Sequence, residues 1–264
     1  MMTTDQAPAE WKNYDDFASG IATNRLPTTN ALTAKTFALT FEDGRKLHLL
    51  FNAAKKLAWT EATKNGEDSC EVINVAPDTY FIDVTFSNLT TEAETIVLNT
   101  KTGRVLSIRS IVREAGAHPG EPRVAQIFRA GTIDGIDASG SFTPSPTRDL
   151  IGLRAHYIYS PNHVYEHTYI SSERYAWQCL VGVQRGHGDV DLATTYKFAE
   201  DQYIFTFREF IIPVASTFFY NFADMRSTGK FLGVTGAGAV ENSPAGAFIR
   251  KVSMSYYLPG QEPV

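Results

Sequence analysis

Two stretches in the second half of the chain carry side chains able to do chemistry. The run His163-Val164-Tyr165-Glu166-His167-Thr168-Tyr169 alternates rings bearing polar groups with other residue types. On an extended chain successive side chains point to opposite faces, so His163, Tyr165, His167 and Tyr169 share one face. Imidazole and phenol groups lining a pocket can stack on a planar aromatic or heterocyclic molecule and can move protons near neutral pH. Turned to solvent, the same face would be a hydrated strand surface. In Gln202 to Phe210 the same rule places Tyr203, Phe205, Phe207 and Glu209 together. If that face points inward, Glu209 is a carboxyl among rings, and desolvation raises its pKa toward the range useful for general acid or base work. If it lies at a wet strand end, Arg208 or Arg226 would pair with it. Glu209, His167 and Tyr203 are therefore the catalytic candidates. His163, Tyr165, Tyr169, Trp177, Phe205 and Phe207 are the ligand-binding candidates.

Other chemistries find less support. Strand residues four apart lie roughly 13 Å apart at about 3.3 Å per residue, so His163 and His167 cannot share one ion in a regular strand. A metal would need ligands from several strands, for instance His167 with Glu209 and His187, and no metal or cofactor is expected. Gly233-Val234-Thr235-Gly236-Ala237-Gly238 lacks the Gly-Lys-Ser/Thr ending of a phosphate loop and is expected to be a flexible connection. No Gly-x-Ser-x-Gly elbow supports a hydrolase triad.

The elements that must position these groups are strands. Trp11, Tyr14, Phe17, Ala18 and Ile21 recur at helical spacing, predicting one short helix over residues 11–22 that could cover an open barrel end. After Pro27 the period moves toward two, and short runs separated by Gly, Asp, Asn and Pro continue almost to the C-terminus. Trp59, Tyr80-Phe81-Ile82 and Gly103-Arg104-Val105-Leu106 return in order as Trp177, Tyr203-Ile204-Phe205 and Gly229-Lys230-Phe231-Leu232. A repeat of about 120 residues is too long for a propeller blade or solenoid turn and long enough for a small barrel or sandwich. The Trp common to both copies reads as barrel packing more readily than as ligand contact. The expected organisation is an N-terminal helix and arm (1–30), a first β-barrel module (31–113), a connection rich in Gly, Pro, Ser and Asp (114–148), and a second module (149–258) carrying the pocket. The fold class is all-β, with two related antiparallel modules. The halves are chemically unequal: aligned without gaps, Phe86 stands where the second copy has Glu209, so one barrel is expected to work and the other to support it.

A chain of 264 residues with 43% hydrophobic residues can bury a true core without disulfides. Its two cysteines, Cys70 and Cys179, make neither a disulfide framework nor a zinc pattern, and are expected as reduced, buried thiols. A formal charge of −5, with no Lys/Arg cluster, offers no field for a nucleic acid or an anionic membrane. No basic and apolar leader opens the sequence and no run approaches the length of a membrane span, so a cytoplasmic protein is expected. The expected partner is a small molecule, and a homo-oligomer is compatible with the sequence.

Asn24-Arg25-Leu26-Pro27, Pro122-Arg123-Val124, Asp149-Leu150-Ile151-Gly152, Tyr165-Glu166-His167, Tyr175-Ala176-Trp177, the run Tyr203 to Glu209 and Met225-Arg226-Ser227-Thr228-Gly229-Lys230 follow in one order. Over nearly the whole chain this order resembles the molybdenum cofactor biosynthesis protein F family. The resemblance implies calycin-like, lipocalin-type barrels for both modules and an association with molybdopterin metabolism, but transfers no catalytic motif. Two functions are chiefly compatible with it, beside a structural role in a complex that would need a large exposed apolar patch. One is a cofactor-independent acid/base enzyme, of lyase or isomerase type, on a small aromatic or heterocyclic substrate. The other is a protein that binds a small molecule such as a pterin without changing it.

Overall fold

The computed structural model describes residues 13–138, 140 and 142–264. Among them the helix is short: α1 spans Tyr14–Ala18, where the Asp16 carboxylate accepts the Asn13 N–H at 2.9 Å, and the chain leaves it through Gly20 at φ +92°. Trp11, which anchored the predicted helix, lies outside the described residues. No helix among the described residues is long and apolar enough to cross a membrane.

The remaining regular elements among the described residues are antiparallel strands. β1 (Thr36–Phe41), β2 (Lys46–Ala53), β3 (Lys56–Glu61), β4 (Lys64–Ala76), β5 (Thr79–Thr85), β6 (Glu92–Asn99), β7 (Arg104–Val112) and β8 (Val124–Ile133) form a closed barrel in which β8 pairs back with β1. After the two-residue β9 (Ser145–Pro146), the second barrel runs β10 (Leu153–Ser160), β11 (His163–Tyr169), β12 (Arg174–Val181), β13 (Gly188–Ala199), β14 (Gln202–Arg208), β15 (Val214–Asn221), β16 (Arg226–Val234) and β17 (Val240–Met254). It closes through the β10–β17 seam. Two closed barrels agree with the expected fold class. The stretch 114–148, expected to connect them, also contributes β8 to the first.

Strands β5 and β14 show why both copies are so apolar. Ile82 points into the first barrel and Phe205 into the second, while Phe81 and Ile204 point outward into a shared core with Ile73, Leu106, Phe198 and Phe219. Each strand thus buries both faces, one inside its barrel and one between barrels. Polar groups cross that interface too: Lys230 of β16 lies 3.1 Å from Asp83 and 3.3 Å from Glu71, and Arg25 holds Glu71 at 2.7 Å.

The duplication is visible in hydrogen bonds. Trp59 Nε1 donates to Asp68 at 2.7 Å, and Asp68 accepts the Ser87 N–H at 2.8 Å, 19 residues on. Trp177 Nε1 donates to Asp191 at 2.9 Å, and Asp191 accepts the Phe210 N–H at 3.1 Å, again 19 residues on. This clasp fixes Phe86 and Glu209, each one residue before the clasped N–H, as equivalent positions. The hairpin after β6 and that after β15 also match: Asn99 and Asn221 each accept backbone N–H groups of their own turn, and each turn ends on a left-handed residue, Gly103 at φ +72° and Met225 at φ +51°. Gly103 therefore corresponds to Met225, and the sequence pairing of Gly103 with Gly229 is displaced by four residues. Cys70 and Cys179 are free and buried.

Candidate functional site

β11 turns Tyr165, His167 and Tyr169 into the second barrel, and β14 turns Tyr203, Phe205 and Phe207 there, as alternation predicts. His167 sits in a cage of rings, its centroid 4.3 Å from Tyr157, 5.1 Å from Tyr175 and 5.9 Å from Phe205. Burial without a charged partner inside the barrel pushes its pKa down to about 3, so the imidazole is neutral, and its buried Nδ1 has no hydrogen-bond partner among the described residues. Tyr157 and Tyr169 share a hydroxyl hydrogen bond of 2.5 Å, and Tyr165 donates to Gln184 Oε1 at 2.8 Å.

Glu209 follows directly on β14 and is 8% exposed. Burial raises its pKa well above the usual carboxylate range, and the charges of Asp191 and Asp189 push it the same way. Neither arginine considered as its partner takes that role. Arg208 faces the other barrel and donates to Gln126 and Thr194, and Arg226 donates to the Asn24 carbonyl at 2.7 Å. Glu209, His167, Tyr165, Trp177 and Phe207 line one void of about 30 Å³, about the share of one water in the liquid. A carboxyl that holds its proton more tightly than usual thus faces the same void as a neutral imidazole.

The remaining candidates fall elsewhere. Tyr203 donates to Asp149 at 3.0 Å, at the far end of β14, some six residues or roughly 20 Å from Glu209 at about 3.3 Å per residue. The two cannot act on one substrate atom. Phe205 and Tyr169 form the floor between them, their rings 5.0 Å apart. His163 sits at the rim, half-buried, with Nδ1 3.0 Å from Ser160 Oγ. Trp177 both lines the void and makes the Asp191 clasp, so packing and lining are one role. Among the described residues no group of three or more His, Cys, Asp and Glu side chains could hold a metal.

Residues 14–24 pack across the mouth. Phe17 and Ile21 line the void, and the Phe17 ring packs on Phe231 at 5.7 Å. Tyr14 donates to the Phe231 carbonyl at 2.8 Å, Gly246 N donates to the Ile21 carbonyl at 3.1 Å, and Asn24 bonds Tyr159 and Ile158 at 3.0 and 2.9 Å. Gly20 lies against His163, where a Cβ would stand 2.8 Å from the imidazole. The glycine run 233–238 serves this lid: a Cβ at Gly233 would meet the Tyr14 ring at 2.6 Å, and Gly236 N donates to Asp15 at 2.9 Å. Sequence reasoning missed Gln184, Tyr157 and Phe231, although Tyr157-x-Tyr159 alternates as β11 does.

The first barrel holds a larger cavity, about 250 Å³, beside the equivalent clasp. Phe86 borders it where Glu209 borders the void of the second barrel. Inequality between the halves is thus real in chemistry, but the greater space lies in the half expected only to support.

Two family models match the chain, one to each half, the first ending before β8. The MoaF N-terminal domain matches residues 9–114 and the MoaF C-terminal domain residues 144–255. Protein MoaF of Klebsiella aerogenes is 32% identical over 234 residues, covering 85% of this chain and 87% of that protein. Among solved structures, that of a putative β-lactamase from Burkholderia vietnamiensis covers 41% of this chain and all of its own at 14% identity, with a TM-score of 0.35. Domain order, coverage at both barrels and identity along most of both chains agree, and the chain belongs to the MoaF family.

Proposed function

We propose that the second barrel takes up a small aromatic or heterocyclic molecule and acts on it by cofactor-independent acid/base chemistry, of lyase or isomerase type. Glu209 gives a proton and His167 receives one, while Tyr157, Tyr175 and Phe205 hold the ring of the substrate by stacking. The observation that carries this reading is Glu209 itself: a buried carboxyl without an arginine, at the position where the sister barrel packs Phe86. A void of about 30 Å³ admits no ring, so Phe17 and Ile21 swing aside for entry, and closure behind the substrate excludes water. Tyr203, tied to Asp149, positions the far wall rather than touching the reacting atoms.

The test is to release and identify small molecules from the purified protein by native mass spectrometry, then follow their conversion by the wild type, E209Q and H167Q. Each variant is expected to lower turnover by roughly 10²- to 10⁴-fold while still binding. Undiminished turnover in either removes that residue from the mechanism. Recovery of the ligand unchanged after long incubation makes the second barrel a carrier of a planar molecule, such as a pterin, instead.

A further inference from the structure

The cavity of the first barrel has an apolar body and a charged wall. Leu47 and Leu49 from β2, Leu57 from β3 and Ile96 from β6 form the body, and Trp59 and Phe86 meet edge to face at 6.2 Å beside it. Among the charged groups, Arg45 is fully engaged. Its Nε and Nη2 donate to Glu61, both at 2.9 Å, and Nη2 also reaches Glu94 at 3.0 Å. Glu94, 3% exposed, takes a further bond from Ser107. Both lining carboxylates are therefore ion-paired with one guanidinium.

Arg109 is different. Its Nε donates to Glu92 at 2.6 Å and its guanidinium lies over the Phe86 ring at 4.8 Å. Its Nη1 stands 3.6 Å from Glu94, beyond hydrogen-bond length, and neither Nη group makes a hydrogen bond among the described residues. A cation with unspent N–H donors thus borders an apolar chamber, and Lys64 adds positive charge at the rim. The lining carboxylates are already ion-paired with Arg45, whereas an anion would find unspent donors on Arg109, in the planar geometry that suits a carboxylate. At about 30 Å³ per water, 250 Å³ corresponds to roughly eight waters, enough for one aromatic ring with a short chain.

We propose that the first barrel is a second, separate binding site, for a small aryl or short-chain carboxylate whose body lies among the leucines and whose carboxylate pairs with Arg109. The site is independent of the chemistry assigned to the second barrel. It opens at the same end of its barrel, beside the same Trp–Asp clasp, and none of the described residues before Arg45 lines it. Leu89, in the loop after β5, borders it and is 41% exposed.

Isothermal titration calorimetry on the full chain, with 4-phenylbutyrate and its uncharged amide as probes, tests this. One carboxylate is expected to bind per chain, about tenfold or more tighter than the amide. R109Q should weaken the carboxylate about ten- to hundredfold and leave the amide unchanged. L49W fills the chamber and should abolish both. L57F, a smaller intrusion, should weaken both and serves if the melt of L49W shows it unfolded. Equal affinity for acid and amide, indifference to R109Q, binding that survives the filled chamber, or no saturable binding of either probe would each overturn the proposal.

Discussion

Replacing Glu209 with Gln keeps the shape of the side chain and removes only its ionisation, so the pH dependence of stability isolates what the buried carboxyl does. Above the ordinary Glu value of 4.5, the unfolded chain has released this proton while the folded chain, with its carboxyl raised well above that value, keeps it. The folded state then binds more protons than the unfolded, and stability falls with rising pH by about 1.4 kcal/mol per unit until the folded carboxyl titrates. E209Q has no such term. Its stability relative to wild type should rise along the same slope as the pH climbs above 4.5. Two neighbours titrate in the background of both proteins. His167, held down to about 3 by burial, binds fewer protons folded than unfolded up to its ordinary 6.5, so it lends stability with rising pH, about 5 kcal/mol in all. Asp191, raised to about 6 chiefly by burial, loses stability between its ordinary 3.8 and that value. The wild-type curve therefore mixes opposing slopes, and the difference between the two proteins is the quantity to follow. Urea unfolding of both, read by circular dichroism and tryptophan fluorescence in steps from about pH 4.5 to 8, gives it. A difference that stays constant with pH, or grows in favour of the wild type, would mean that Glu209 is ionised in the fold and would remove it as a proton donor.

Phe17→Ala takes the ring from the mouth of the second barrel; a loss of about 3 to 5 kcal/mol and new binding of an anilinonaphthalene dye are expected, and an unchanged melt without dye binding would show that Phe17 does not seal the barrel. Lys230→Met leaves Asp83 and Glu71 facing each other across the barrel interface, and should cost about 3 to 5 kcal/mol in thermal unfolding, with the double variant K230M/D83N recovering part of it.

What the sequence made legible, and what it hid, follows from how each strand is buried. β11 and β14 were readable because a closed barrel imposes strict alternation on strands that cross its middle. β3 was not, since only Leu57 of its six residues is buried and the rest are half-buried or exposed. β8 was hidden for a different reason. It forms the seam with β1, where the Thr40 carbonyl would stand 2.4 Å from any Cβ at Gly131, so the strand must carry glycine in a stretch that otherwise reads as loop. The distance between Tyr203 and Glu209, by contrast, was available all along. The same rise per residue that separates His163 from His167 separates them, and sharing a face does not mean sharing a substrate. The charged wall of the first barrel could not be read at all: Arg45, Glu61, Glu94 and Arg109 are contributed by four separate regions of the chain and meet only when the barrel closes.

The duplicated clasp makes the two barrels internal controls for each other. At the residue before the clasped N–H, one copy carries Phe86, which packs against Trp59 without cost, and the other carries Glu209, whose burial is unfavourable to its charged form. The fold itself accepts an apolar ring at this position, so stability gives no reason for the acid. The N-terminal segment lies before the first barrel in sequence, yet packs over the second, the one with the costly carboxyl, and its Phe17 and Ile21 line the void there. A destabilising group placed at a mouth, covered by a dedicated lid and absent from the sister copy is the pattern expected where a residue is kept for what it does to another molecule.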